Sequence, residues 1–342
     1  MVGVDVGGTK IAAGVVDADG QIYSRIQLPT DTSSTEATLQ SIADSITEAV
    51  HAAGINPAQI GGIGLGIPGW IDAKNGIGLY SVNLGWRNVH VKQWLEERLD
   101  RPCFIENDVS AASAGESIYG AGKGMKNLVY LSLGTGIAAG IIIGGRVYRG
   151  AHSLAGEIGH TAFVADGPRC LCGGRGCLEA LAAGPALARK AQAAIEAGRR
   201  SSLQQVLLRK ATITAEEIFV AATQGDNLAL EVLAEAGAQI ASAIYLLAMA
   251  FDPHVVILGG GLALEDGPFI TAIRSELQSR SEASPVFREI ITSAAVRLTS
   301  LKRDAGILGA AALVVAGKDE EGLKDEDRCH SEREGSDSPR SS

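Results

Sequence analysis

Three of the chain's five cysteines, Cys170, Cys172 and Cys177, are packed into eight residues, and His160 stands ten residues upstream of the first. Three thiolates and one imidazole make a four-ligand set that suits zinc. Four protein ligands leave no open position for a reactive water, so the role expected of Zn2+ is structural. The spacing Cys-x-Cys-x4-Cys departs from the usual finger patterns, and three buried thiols beside a surface histidine are the alternative. That alternative is awkward, because Gly173, Gly174 and Gly176 make the segment a polar loop with little core in which to hide sulfur. The same glycines would let the backbone fold tightly around an ion.

Glu157, His160 and Glu179 bracket this loop. If one imidazole nitrogen holds a metal, the other can donate to a ligand or a carboxylate. Carboxylates pinned beside a metal-fixed loop suit a polyhydroxylated ligand, with ordinary solvated carboxylates as the alternative. A second constellation is glycine-rich. Asp5-Val6-Gly7-Gly8-Thr9-Lys10 and Gly134-Thr135-Gly136 each place backbone N–H groups in a turn, a natural site for anions. Neither has the Walker spacing, and neither opens a dinucleotide-binding βαβ unit. Asp5 with Thr9 is suited to Mg2+, directly or through water. Gly259-Gly260-Gly261 follows an apolar strand and would admit the flat face of a base or ribose, so the three turns together point to a nucleoside triphosphate. Finally, Asn107-Asp108 sits where a strand hands over to a small-residue helix. A carboxylate there is either catalytic or a helix cap.

The elements that must position these groups follow an α/β pattern. Val2 to Val6 and Ile11 to Val16 read as strands around the first glycine turn, with a third strand expected over Gln21 to Leu28. Thr35 to Ala53 has helical spacing through Leu39, Ile42, Ile46 and Val50. Ile60 to Ile67 returns to the sheet. A helix is expected from His90 to Leu99 with Asn88 as its cap, and Cys103-Phe104-Ile105 leads into Asp108. Leu128 to Leu133 and Ile137 to Ile143 flank Gly134-Thr135-Gly136 in a second copy of the opening pattern, which reads as a duplication. A helical stretch from Pro185 to Ala250, a strand from His254 to Leu258 and a last apolar helix from Ala305 to Ala316 follow.

Composition narrows the partners. With 30 Lys plus Arg against 39 Asp plus Glu, the net charge is −9 and no basic run stands out, so no nucleic acid partner is expected. Glycine, proline or charge interrupts each apolar run, so no membrane span is expected either. Without a leader-like start, and with an odd cysteine count that argues against a disulfide framework, the expected location is cytoplasmic.

Taken together these residues resemble the ROK family of sugar kinases and sugar-responsive repressors, part of the hexokinase–actin–Hsp70 superfamily. The resemblance runs from Val2 to about Ala316. It rests on Asp5 to Lys10, Gly66-Ile67-Pro68-Gly69, Glu106-Asn107-Asp108, Gly134-Thr135-Gly136-Ile137, Ala155-Gly156-Glu157-Ile158-Gly159-His160 and Cys170 through Glu179. It implies a two-domain ribonuclease H-like (actin-like ATPase/hexokinase) α/β fold with a cleft between the domains. The small domain would span 1–117, completed by the helix 305–317. The larger domain would span 118–304, with the zinc loop 160–179 and an oligomerisation surface for a homodimer or homotetramer.

The resemblance also implies roles. Asp108 would be the general base toward a sugar 6-hydroxyl. Asn107, Glu157, His160 and Glu179 would hold sugar hydroxyls, with Gly66 approaching through its backbone. Asp5, Gly7, Gly8, Thr9, Lys10, Gly134, Thr135, Gly136, Gly259, Gly260 and Gly261 would serve ATP and Mg2+. Asn83-Leu84-Gly85-Trp86 is similar to a segment of the family's bacterial glucokinases and implies glucose. N-acetylmannosamine, N-acetylglucosamine, fructose and allose kinases are the near alternatives. Repressors of the family carry a helix-turn-helix domain ahead of the Asp-x-Gly-Gly-Thr turn, which in this chain begins at Asp5. Ala138 and Ala139 depart from the family's glycines, and their methyl groups are expected to narrow the approach of phosphate.

Residues 318–342 combine charge, serine and proline with almost nothing apolar to bury. A chain ending at Gly317 is therefore expected to assemble and turn over like the full chain. Sizing and steady-state kinetics check this, and a tenfold fall in kcat/KM for glucose would overturn it.

Overall fold

A computed structural model describes residues 1–317 and divides the chain into two compact units. Unit 1 is Met1–Ala111 together with the chain from Gly306 onward, and unit 2 is Ala112–Ala305. The charged segment 318–342 lies outside the described residues.

Unit 1 is built on a hairpin of valine and isoleucine. β1 (Val2–Val6) and β2 (Lys10–Val15) pair antiparallel with Val6 opposite Ile11, and β3 (Ile26–Pro29) extends β2. The expected third strand begins later than its sequence suggests. The Ser24 hydroxyl accepts from the Val15 N–H (3.1 Å) and donates to the Ala49 carbonyl (2.7 Å), so a side chain takes the place of the ladder there. α1 (Thr35–Ala53) is capped by Ser34, ends on Gly54 in the left-handed region, and buries Leu39, Ile42, Ile46 and Val50 as the spacing predicts.

β4 (Ile63–Ile67) lies parallel to β1. A three-stranded meander follows: β5 (Trp70–Asp72), β6 (Ile77–Ser81) and β7 (Trp86–Val89). α2 (Val91–Leu99) starts after His90 without a side-chain cap, whereas Asn88, expected to cap it, sits in β7 at φ 51°. β8 (Cys103–Asn107) pairs parallel with β4 and completes the order β3-β2-β1-β4-β8.

Unit 2 repeats that arrangement. α3 (Asp108–Ile118) leads toward β9 (Leu128–Leu133), β10 (Ile137–Ile143) and β11 (Arg146–Val147). The expected helical stretch resolves into α4 (Leu178–Ala182), α5 (Gly184–Glu196), α6 (Gln204–Arg209), α7 (Ala215–Thr223) and α8 (Asn227–Phe251). β12 (Val255–Gly259), α9 (Pro268–Ala283), α10 (Pro285–Ser293) and β13 (Ala295–Leu298) complete it. The order β11-β10-β9-β12-β13, a hairpin followed by two parallel strands, has the same pattern as the sheet of unit 1, so the duplication read from the glycine turns is present. By length and composition alone, α8 is apolar enough to cross a membrane. Its residues Leu233, Ala236, Ile240, Ile244 and Leu247 are buried in the core of unit 2.

The last helix, α11 (residues 305–317), belongs to unit 1 from Gly306 onward and lies directly on β1 and β4. A Cβ at Gly3 would collide with the Ile307 carbonyl oxygen, and one at Gly64 with that of Ala310. Backbone therefore meets backbone, with no side-chain layer between helix and sheet.

Candidate active site

Three strands of unit 1 end side by side. Asp5 on β1 pairs with Gly66 on β4, and Gly66 pairs with Glu106 on β8, one residue before Asn107-Asp108. The carboxyl ends of parallel strands are where an open α/β sheet presents its chemistry.

Asn107 is the true cap of α3. Its Oδ1 accepts from the N–H groups of Val109 (3.0 Å) and Ser110 (3.1 Å), while its Nδ2 donates to the Gly69 carbonyl (3.1 Å). Asp108, the first helical residue, accepts from the Val109 N–H through Oδ1 (2.9 Å). Burial pushes Asp108 up from its ordinary value, while hydrogen bonds from backbone N–H groups and from Asn107 pull the other way. Burial is the larger of these effects. A Cβ at Gly66 would stand 3.4 Å from Asp108 Cα, so this backbone passes close beneath the carboxylate.

Asp5 is pushed up to about 6, chiefly by burial, then by the charge of Asp108, with Lys10 opposing. The turn after it is closed by the Gly7 N–H donating to the Lys10 carbonyl (2.9 Å) and braced by the Thr30 hydroxyl on the Gly7 carbonyl (2.7 Å), leaving Thr9 and Lys10 exposed. Gly8 faces the Asn83 segment: a Cβ there would lie 3.0 Å from the Asn83 carbonyl oxygen. The exposed Asn83 thus stands against the first glycine turn, a proximity that its place in the sequence did not reveal.

In unit 2 the segment Ala155 to His160 runs backbone-to-backbone along β10. A Cβ at Gly156 would collide with the Ala139 carbonyl oxygen, and one at Gly159 with that of Ile137. These glycines seat Glu157 and His160 beside the start of β10. Glu179, in the first turn of α4, reaches the same place. Its Oε2 accepts from the Ile137 N–H (3.2 Å), and a Cβ at Gly136 would stand 2.8 Å from that oxygen. The carboxylate therefore braces the turn Gly134-Thr135-Gly136, a link sequence reading missed because the two positions are 42 residues apart.

The third glycine set resolves into different roles. Gly259 leaves room for the Tyr130 ring, and Gly260 (φ 81°) turns against the Leu133 backbone. Among the described residues no heavy atom beyond its chain neighbours stands within 4 Å of a Cβ built on Gly261, and the side of Gly134 faces the Gly261 nitrogen at 3.9 Å. Ala139 is buried in the core of unit 2, and Ala138 is half-buried.

The histidine and the three cysteines come together around one point. His160, Cys170 and Cys172 present ligand atoms within 4.8 Å of one another, and Cys177 Sγ stands 3.7 Å from Cys172 Sγ. A tetrahedral ion with arms of about 2.3 Å separates its sulfurs by about 3.8 Å. His160 turns Nδ1 toward Cys170 Sγ (3.8 Å) and Nε2 toward Glu157 Oε2 (3.9 Å). Gly173 (φ 94°) and Gly176 (φ 65°) supply the left-handed turns, while Gly174 is needed for space, its Cβ position lying 3.3 Å from Cys177 Sγ and 3.5 Å from Cys172 Sγ. Burial pushes the Cys177 thiol up to about 12, and the crowding of Cys172 and Cys170 adds to it. Soft sulfur donors gathered this closely fit a bound cation.

A model of the ROK family matches residues 1–316. The chain is 37% identical over 315 residues to a glucokinase from Streptomyces coelicolor, covering 91% of this chain and 96% of that protein. It is similar to the crystal structure of a ROK family glucokinase from Streptomyces griseus in complex with glucose and AMPPNP, at 35% identity and a TM-score of 0.76, covering 92% of this chain and 98% of that one. A ROK hexokinase structure from Thermus thermophilus gives 35% identity and a TM-score of 0.75, covering 94% and 99%.

Because the folded value of Asp5 lies above its ordinary value of 3.8, its ionisation opposes folding above about pH 6 and ceases to do so below about pH 4. Asp5→Asn should thus stabilise the ligand-free protein at pH 8 by about 2–3 kcal/mol, from ~1.4 kcal/mol per pKa unit. The gain should vanish toward pH 4, as urea unfolding at both pH values would show.

Proposed function

The chain belongs to the ROK family, and we propose that it phosphorylates the 6-hydroxyl of glucose with ATP, giving glucose 6-phosphate and ADP. Its α/β fold is that of the actin-like ATPase and hexokinase group. The observation that carries the mechanism is the division of labour at the start of α3: Asn107 caps the helix, and Asp108 is held beside it by the Val109 N–H.

In this reading Asp108 takes the proton from the sugar 6-hydroxyl as that oxygen attacks the γ-phosphorus. A base lifted by burial accepts the proton more readily, provided it is ionised first. Asn107 enters as the group that ties Asp108, Gly69 and the helix start together, and a sugar hydroxyl at its amide would share atoms already engaged there. Gly66 lets the substrate approach through backbone. Glu157, His160 and Glu179 are assigned to sugar hydroxyls, as is Asn83.

Phosphoryl transfer asks for placement and charge neutralisation more than covalent chemistry. Turn N–H groups suited to phosphate are offered by Gly7, Gly8, Thr9 and Lys10, the last with a cation, and by Gly134, Thr135 and Gly136. The open face of Gly261, with Gly259 and Gly260 shaping its turn, suits the nucleoside. Asp5, a hard oxygen donor raised by burial, fits Mg2+, which would neutralise phosphate charge there. The donor set of three sulfurs and one nitrogen, from Cys170, Cys172, Cys177 and His160, fits Zn2+ in a structural role, supported by the near-tetrahedral sulfur spacing. Exposed apolar side chains in unit 2, among them Leu246, Met249 and Val286, support a homodimer or homotetramer.

Asp108→Asn should lower kcat by ~10²–10⁴ with glucose binding retained. In the wild type kcat/KM should fall on the acid side, starting above the ordinary aspartate range because the base must be ionised. Steady-state kinetics across pH check both, and a variant keeping more than a third of wild-type kcat would overturn the assignment. A kcat/KM panel of glucose, mannose, fructose and the two N-acetylhexosamines tests the sugar. Elemental analysis should find one zinc per chain, and Cys172→Ser should lose it together with affinity for glucose, because the loop that seats Glu157 and Glu179 loses its anchor.

A further inference from the structure

Helix α11 carries a glycine in its first turn, and nothing about the backbone asks for one there. Gly306 is helical and does not occupy the left-handed region. Glycine is the poorest helix former after proline, so alanine would be the better residue if there were space. There is no space, and what fills it is one side chain. A Cβ on Gly306 would collide with Oδ2 of Asp5 and stand 2.5 Å from its Cγ and 2.8 Å from its Cβ.

Neither partner can yield cheaply. The carboxylate could rotate, but the Asp5 Cβ is fixed by a strand paired on both sides, with Ala12 and with Gly66. The helix is held equally hard: the Ile307 and Ala310 carbonyls lie against Gly3 and Gly64. A methyl group at 306 would therefore have to turn the Asp5 carboxylate out of place or prise the helix from the sheet.

We propose that Gly306 is a positioning residue for Asp5: the missing side chain in the first turn of α11 is the space in which the Asp5 carboxylate is held for the Mg2+–nucleotide. This rests on the assignment of Asp5 to magnesium and phosphate, so the test separates the two claims.

Gly306→Ala, Asp5→Gly and the double variant are prepared in the full chain. Each is compared by thermal unfolding without ligand and by calorimetric binding of Mg–AMPPNP and of glucose. Gly306→Ala should weaken Mg–AMPPNP binding at least tenfold and change glucose binding less than threefold. It should lower Tm although alanine is the better helix former. In the Asp5→Gly background, where the three colliding atoms are gone, the same substitution should leave Tm unchanged or raise it. If Gly306→Ala alone does not fold, a folded double variant shows the same dependence on Asp5. The proposal is overturned if Gly306→Ala binds Mg–AMPPNP within twofold of wild type, if its loss of Tm is as large in the Asp5→Gly background, or if the double variant also fails to fold. The Tm coupling is read without nucleotide and judges Gly306. Normal Mg–AMPPNP binding by Asp5→Gly would instead refute the assignment of Asp5.

Discussion

Backbone pressed directly on backbone is the constraint from which the sites of both units follow. In unit 1, α11 touches β1 and β4 where Gly3 and Gly64 remove the side-chain layer. In unit 2, Gly156 and Gly159 bring the Glu157–His160 segment onto the edge of β10. Such close approach leaves no soft layer to absorb error, and interiors packed to crystal-like density transmit a methyl group's displacement to whatever lies next. In each unit the neighbour is a side chain assigned to the site: Asp5 beside α11, and Glu157 with His160 beside β10. The precision that phosphoryl transfer needs is thus obtained from the places where the chain has no side chain at all.

The same packing sets the electrostatics. Asp5 and Asp108 end adjacent parts of one sheet, and burial raises both, with the charge of Asp108 adding to the effect on Asp5. Both carboxylates are half-buried, and gathering them at one end of a sheet costs stability that the fold itself does not offset. In the proposed reaction the compensating charge would come from the ligands: a phosphate-bound cation at Asp5 and the sugar hydroxyl's proton at Asp108.

Unit 2 joins two functions through one carboxylate. Glu179 follows Cys177, the last of the clustered sulfurs, by two residues and binds the Ile137 N–H at the end of the second glycine turn. The cluster that fixes α4 therefore also fixes the turn. The proposed metal site, the carboxylate assigned to the sugar and the phosphate turn form one connected piece of chain, so disturbing the sulfur loop reaches both substrates.

The apolar runs of β1, β2, β9 and β10, the spacing of α1, the glycine turns and the clustered cysteines were all legible in the sequence, because each is a local pattern with its own physical reason. The repeated sheet followed from two copies of one local motif. What could not be read was decided by atoms distant along the chain. Ser24 displaced part of a strand through a hydroxyl that reaches Ala49. Asn88 gave way to His90 because the meander holds it at φ 51°. Whether Asp108 capped its helix or stood beside a cap was ambiguous by residue type, and only the bonds of Asn107 settled it. Glycine makes the point most plainly. Its presence is visible in any sequence, but whether it serves φ, as at Gly173, or space for a particular carboxylate, as at Gly306, depends on what the fold brings against it. Local propensity depends on neighbours along the chain, whereas close packing depends on neighbours in space.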